Sequence, residues 1–84
     1  MKIIVDKVTN TSGVYHAYIQ VIDETANAIY VTTQLDWNPA QETGQAFRTR
    51  VADTLRPIIA KIKDVETKKQ QLQTLLDNLK PDNL

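Results

Sequence analysis

From Leu55 onward, apolar residues recur at alternating spacings of three and four: Leu55, Ile58, Ile62, Val65, then Leu72, Leu76 and Leu79, with Lys69 the one polar residue on the stripe. This alternation is a heptad seam and demands a long amphipathic helix. Ile59 and Leu75 widen its apolar face, and no glycine or proline interrupts the chain between Pro57 and Pro81. Upstream, Asn38-Pro39-Ala40-Gln41 sets Asn at the N-cap, Pro at the first helical position and Gln at the third, with Glu42 in the first turn. The predicted helical region is therefore 38–80, with Phe47 and Val51 on the same apolar face. Two residues strain it. Gly44 costs about 1 kcal/mol against Ala in a helix interior. Pro57 has no N–H to donate to the Asp53 carbonyl, so the helix is expected to be kinked or broken near Pro57.

Composition changes near residue 38. Before it, β-branched and aromatic residues dominate, and three strands are predicted over Lys2–Val8, Val14–Ile22 and Ala28–Asp36. The links, Thr9 to Gly13 and Asp23 to Asn27, are of hairpin length, and Asn27 is suited to a positive φ. The simplest topology is an antiparallel β-meander over 1–37, giving an α+β chain, β-β-β-α, in one domain spanning 1–84 with a flexible tail at 81–84. A one-residue slip would turn a strand over. Pairing Ile22 with Ala28 collects Tyr15, Ala17, Ile19 and Val21 with Ile29, Val31, Thr33, Leu35 and Trp37 on one face. His16, Tyr18, Gln20, Tyr30, Thr32 and Gln34 then share the other.

Length turns this layout into an expectation about assembly. A helix of about 40 residues spans roughly 60 Å, whereas a nine-residue strand covers about 30 Å. The sheet can cover only the proximal half of such a helix. Val65, Lys69, Leu72, Leu75, Leu76 and Leu79 are left to seek another partner, and a second copy of the chain is the simplest one, with a dimer favoured.

The chain is poor in the parts of chemistry. It has no cysteine, one histidine and one serine, so thiolate chemistry and zinc–sulfur sites are excluded and a nucleophilic triad lacks material. His16 has no carboxylate fixed to it by sequence spacing, and Asp23-Glu24 sits in a turn that has neither the environments of an acid–base pair nor the ligands of a calcium loop. No catalysis and no cofactor or metal are expected. Ten basic and ten acidic residues cancel, although residues 48–69 carry Arg48, Arg50, Arg56, Lys61, Lys63, Lys68 and Lys69 against Asp53, Asp64 and Glu66. On a helix these cations fall on both flanks of the apolar stripe, as cationic side chains bordering a packed seam do.

The function expected from the sequence is that of a small accessory or regulatory protein, non-catalytic, self-associating and binding another protein through the sheet face of His16, Tyr18, Tyr30 and Thr32. The alternative is nucleic-acid binding, through Arg50, Arg56, Lys61, Lys63 and Lys68 of a dimer or through stacking on that Tyr/His face. No apolar run reaches a membrane span, and Asp6 interrupts what would be a signal peptide's apolar stretch, so a cytoplasmic protein is expected.

Overall fold

The computed structural model describes residues 1–84. It holds strands β1 (Lys2–Thr11), β2 (Val14–Asp23) and β3 (Ala28–Trp37), then one helix, α1 (Gly44–Leu76), and a short 3-10 turn at Pro81–Asn83. The sheet is an open antiparallel meander in the order β1-β2-β3, the predicted β-β-β-α layout. Each strand runs longer than its sequence reading. The first link is a two-residue turn in which Ser12 (φ 52°) and Gly13 (φ 85°) both take positive φ, the type I′ geometry that matches strand twist. In the second, Asn27 takes φ 51° as expected, and the Asp23 carboxylate accepts from the backbone N–H groups of Thr25 and Ala26.

The register differs from the predicted one. Tyr15 lies opposite Trp37, Ile19 opposite Thr33 and Val21 opposite Val31, two residues along from the expected pairing, and Ile22 meets Ile29. A bulge between these two registers accommodates Tyr30 as an extra residue. A two-residue shift keeps each side chain on its face, so the apolar set of Tyr15, Ala17, Ile19, Val21, Val31, Leu35 and Trp37 survives. The bulge exchanges two others. Ile29 joins Ile22 on the outer face, and Tyr30 turns to the helix, where its hydroxyl lies 3.4 Å from Glu66 Oε1. A second bulge leaves Asp6 unpaired in β1, and it keeps Ile3, Val5 and Val8 together on the helix side despite their mixed parity.

The helix starts later than predicted. Asn38 accepts from the N–H of Ala40 through its side chain and from Gln41 and Glu42 through its carbonyl, which closes a single turn that does not propagate. Thr43 is the true N-cap, its hydroxyl accepting from Ala46 N at 3.1 Å, and Gly44 is therefore the first helical residue instead of an interior flaw. Three contacts hold the intervening turn: Trp37 Nε1 donates to the Glu42 carbonyl at 2.9 Å, Arg50 forks onto the Glu42 carboxylate at 2.9 and 3.1 Å, and the Trp37 and Phe47 rings stack at 5.7 Å. Pro57 does not break the helix, which runs through it as one element. It sits on the exposed side, where water can satisfy the carbonyl its missing N–H leaves free. The helix ends at Leu76, short of residue 80, and Leu79 lies in a following turn closed by its N–H to the Leu76 carbonyl. Within the tail, Pro81–Asn83 form the 3-10 turn.

The core is small and lies entirely between β2 and the proximal helix: Ala17, Ile19, Val21 and Leu55, ringed by Val31, Leu35, Phe47, Val51, Ile58, Ile59 and Ile62. Only five of 84 residues are buried.

Candidate functional site

The helix has two environments on one face. From Phe47 to Ile62 its apolar side packs on the sheet. The last link to the sheet is the Glu66–Tyr30 hydrogen bond, and every side-chain hydrogen bond after residue 66 is local to the helix, as in Lys68–Asp64, Gln73–Asp77 and Thr74–Gln70. Val65, Leu72, Leu75, Leu76 and Leu79 are consequently 53–76% exposed. The chain is 65 Å long and about 20 Å wide, with a radius of gyration of 18.6 Å. A compact chain of this length has a radius near 12 Å.

The outer sheet face brings together His16, Tyr18 and Thr32 of the expected partner-binding set, and the bulge removes Tyr30 from it. Tyr18 is not an open stacking platform, because the Lys7 ammonium lies 4.6 Å from its ring centroid. His16 has the partner that sequence spacing did not supply: Asp36 lies directly across the strand pair, with His16 Nδ1 2.7 Å from Asp36 Oδ1, and Gln34 Nε2 donates to the same carboxylate oxygen at 3.0 Å. In the predicted register His16 faced Gln34, which is why the pair went unseen. The imidazole is hydrogen-bonded to no hydroxyl, and no three His, Asp or Glu side chains converge as metal ligands. What the arrangement accomplishes is a cross-strand link that orients the ring.

Four residues further along the same face, Ile4, Ile22 and Ile29 form an apolar patch with Gln20, whose Nε2 lies 3.4 Å from Thr32 Oγ1. Sequence reasoning missed Ile29 here because only the bulge brings it over. A third apolar strip lies on the helix side of the edge strand, where Ile3, Val5 and Val8 remain 50–58% exposed beside Phe47 and Val51.

Three of the cations proposed for phosphate contact have partners within the chain. Arg50 is held by Glu42 and also donates to the Asp36 carbonyl; Arg56 pairs with Asp53 at 2.8 Å and Lys68 with Asp64 at 3.3 Å. Lys61 and Lys63 have no carboxylate in ion-pair range, and they stand on opposite sides of the helix, Lys61 beside Tyr30 and Lys63 beside Ile3.

No family model, curated protein or solved structure matches this chain. The reading of its surfaces therefore rests on their own chemistry.

Three carboxylates are held below their ordinary range by partners that exist only in the fold. Hydrogen bonds from the Ala26 and Thr25 N–H groups lower Asp23, those from His16 and Gln34 lower Asp36, and the Arg50 fork lowers Glu42. Such groups bind fewer protons folded than unfolded, so they stabilise above the ordinary carboxylate pKa and that stabilisation is lost as pH falls through the depressed values. Stability is expected to decline as pH falls below the ordinary carboxylate range, near about pH 4, and Trp37 fluorescence reports on it because the indole N–H rests on the Glu42 carbonyl. In Glu42→Gln the fluorescence change between pH 5 and pH 3 should shrink. An unchanged acid transition in that variant would remove Glu42 from the account.

Proposed function

We propose that this chain is a non-catalytic interaction module of the cytoplasm: it self-associates through the distal half of α1 and offers the outer face of its sheet to another protein. The observation that carries this reading is the surface left unburied. A compact monomer of 9.5 kDa exposes roughly 5,000 Å² on the usual size scaling, whereas this chain exposes 6536 Å². The surplus exceeds the roughly 800 Å² that each partner contributes to an interface of standard size, and the distal leucines, 53–76% exposed, contribute apolar area to it. Two outer-face features support a protein partner: the Ile4/Ile22/Ile29 patch and, further along the same face, the polar residues His16, Tyr18 and Thr32.

Light scattering at tens of micromolar is the test. The expected mass is twice 9.5 kDa; a mass near 9.5 kDa would overturn the reading. A steeply salt-dependent shift of duplex DNA near 150 mM salt, lost in Lys61→Ala/Lys63→Ala, would favour nucleic acid as the second partner instead.

A further inference from the structure

One helix does not cover this sheet. Strands lie about 4.8 Å apart and a helix is about 10 Å across, so α1 shelters two strands, and the residues it packs on come from β2 and β3. No β1 residue joins that core, and Ile3, Val5 and Val8 stay half exposed on the same side of the sheet. We propose that the groove between β1 and α1 is a docking site for an amphipathic helix of a partner protein, one that carries carboxylates along the flank facing α1. The site is separate from the distal leucines and from the outer face of the sheet, and the proposal rests on neither.

Shape is the first argument. Hollows of about 400, 250 and 210 Å³ follow one another along the groove, the first two sharing Ile3 and the last two sharing Val5 and Phe47. Its floor is apolar, with Ile3, Val5 and Val8 from β1 and Phe47, Val51 and Ile59 from α1. Packed helices lie about 8–10 Å apart, which sets a second helix beside α1 over β1. From Arg48 to Lys63 the groove runs about 22 Å, the length of a helix of about 15 residues. Strand addition to the same edge is the competing mode. The bulge that leaves Asp6 unpaired distorts the row of backbone groups that a new strand would need.

Charge selects the occupant. Arg48, Ala52, Arg56, Ala60 and Lys63 succeed one another at spacings of four, four, four and three, so they share one flank of α1 and form the rim of the groove. The two alanines keep the rim low between three long cations. No Asp or Glu lines any of the three hollows. Arg56 is paired to Asp53 at 2.8 Å, whereas Arg48 and Lys63, one near each end, have no carboxylate in ion-pair range. Further along, Asp64 is paired to Lys68 and Glu66 is turned to Tyr30 of β3. An apolar helix flanked by Asp or Glu fills this floor and meets this rim. The distal helix of a second copy lacks such a flank, because residues 65–80 hold Lys68, Lys69 and Lys80 against Glu66 and Asp77.

Two labelled helical peptides of about 15 residues test the assignment, both with leucine recurring at alternating spacings of three and four. One carries glutamate on its flanks and the other lysine, and fluorescence anisotropy reads their binding to the full chain. The glutamate peptide is expected to bind the parent and to weaken at least about tenfold in Arg48→Glu/Lys63→Glu, with the lysine peptide showing the reverse order. Both side chains are exposed and outside the core, so the circular dichroism of this variant should match the parent's. Val5→Gln, which puts a polar group on the floor without changing charge, should weaken the glutamate peptide as well. No binding of that peptide, or binding that either variant leaves unchanged, would overturn the proposal. A parent that falls from dimer to monomer by light scattering as the peptide binds would give the groove to a second copy and overturn it. Binding of phosphatidylglycerol vesicles without binding of the peptide would give it to an anionic lipid surface, with the same consequence.

Discussion

Leu72→Asp/Leu76→Asp is expected to yield a monomer that keeps its sheet. Burying a leucine is worth about 1.5–3 kcal/mol, and two-fold symmetry removes two from each copy. Because Leu72 and Leu76 are 58% and 53% exposed in the single chain, the lost burial comes to about 3 kcal/mol or more, at least about two orders of magnitude in dissociation constant. Four carboxylates brought onto an apolar seam would add an unpaired-charge cost to that. Neither leucine belongs to the core, which consists of Ala17, Ile19, Val21 and Leu55, so the intramolecular packing is untouched. Light scattering should give 9.5 kDa while the strand signal in circular dichroism and the Trp37 emission stay those of the parent. A variant that remained dimeric would show that the distal leucines are not the contact. One that lost the sheet signal as well would show that the two halves fold as one unit.

Much of this architecture is legible in the sequence, and the parts that are not share a cause. The switch from β-branched residues to helix formers places the sheet and the helix, and the heptad spacing shows that the helix outruns the strands. Faces were readable because alternation has a period of two: Ala17, Ile19, Val21, Val31 and Leu35 lie where alternation puts them. Register was not, because a shift by two residues preserves every face and no pattern of apolar residues can detect it. The His16–Asp36 pair depends on that shift. Bulges are equally silent, since they break the parity on which the reading rests. Tyr30 and Ile29 exchange faces at one bulge, and Ile3, Val5 and Val8 share a face only because Asp6 is skipped at the other. The helix start shows two local signals in competition. Asn38-Pro39 is a sound N-cap and does begin a turn, but Thr43 caps the helix that persists, because Arg50 and Trp37 fasten Glu42 outside it. For the interaction surfaces, the sequence indicates which side chains are apolar, and only the extent of the sheet decides which of them stay uncovered.

Leu55→Ala produces the opposite dissection. Leu55 is 1% exposed, the only buried residue of α1, and with Val21 one of two fully buried large side chains in the chain. Truncating a buried leucine costs about 2–5 kcal/mol, in lost transfer energy and in the cavity left behind. Domains are stable by only about 0.05–0.15 kcal/mol per residue, and a core this small belongs at the lower end of that range. The substitution is thus expected to remove half or more of the stability of the sheet–helix unit. At fixed protein concentration the melting temperature followed by Trp37 emission should fall by roughly 10–30 °C, at about 4–8 °C per kcal/mol for a domain of this size. Arg56→Ala, next along the helix, serves as the control: its side chain is 70% exposed and its partner Asp53 62%, so that ion pair is worth well under about 1 kcal/mol. Equal effects of the two substitutions would mean that α1 does not pack on the sheet through Leu55. Below its lowered melting point Leu55→Ala should still scatter as a dimer, because Leu72, Leu75, Leu76 and Leu79 lie outside the core it damages. One substitution is then expected to weaken the fold and spare the proposed assembly, and the aspartate pair to abolish that assembly and spare the fold. That crossed outcome is what two separate apolar clusters on one helix require.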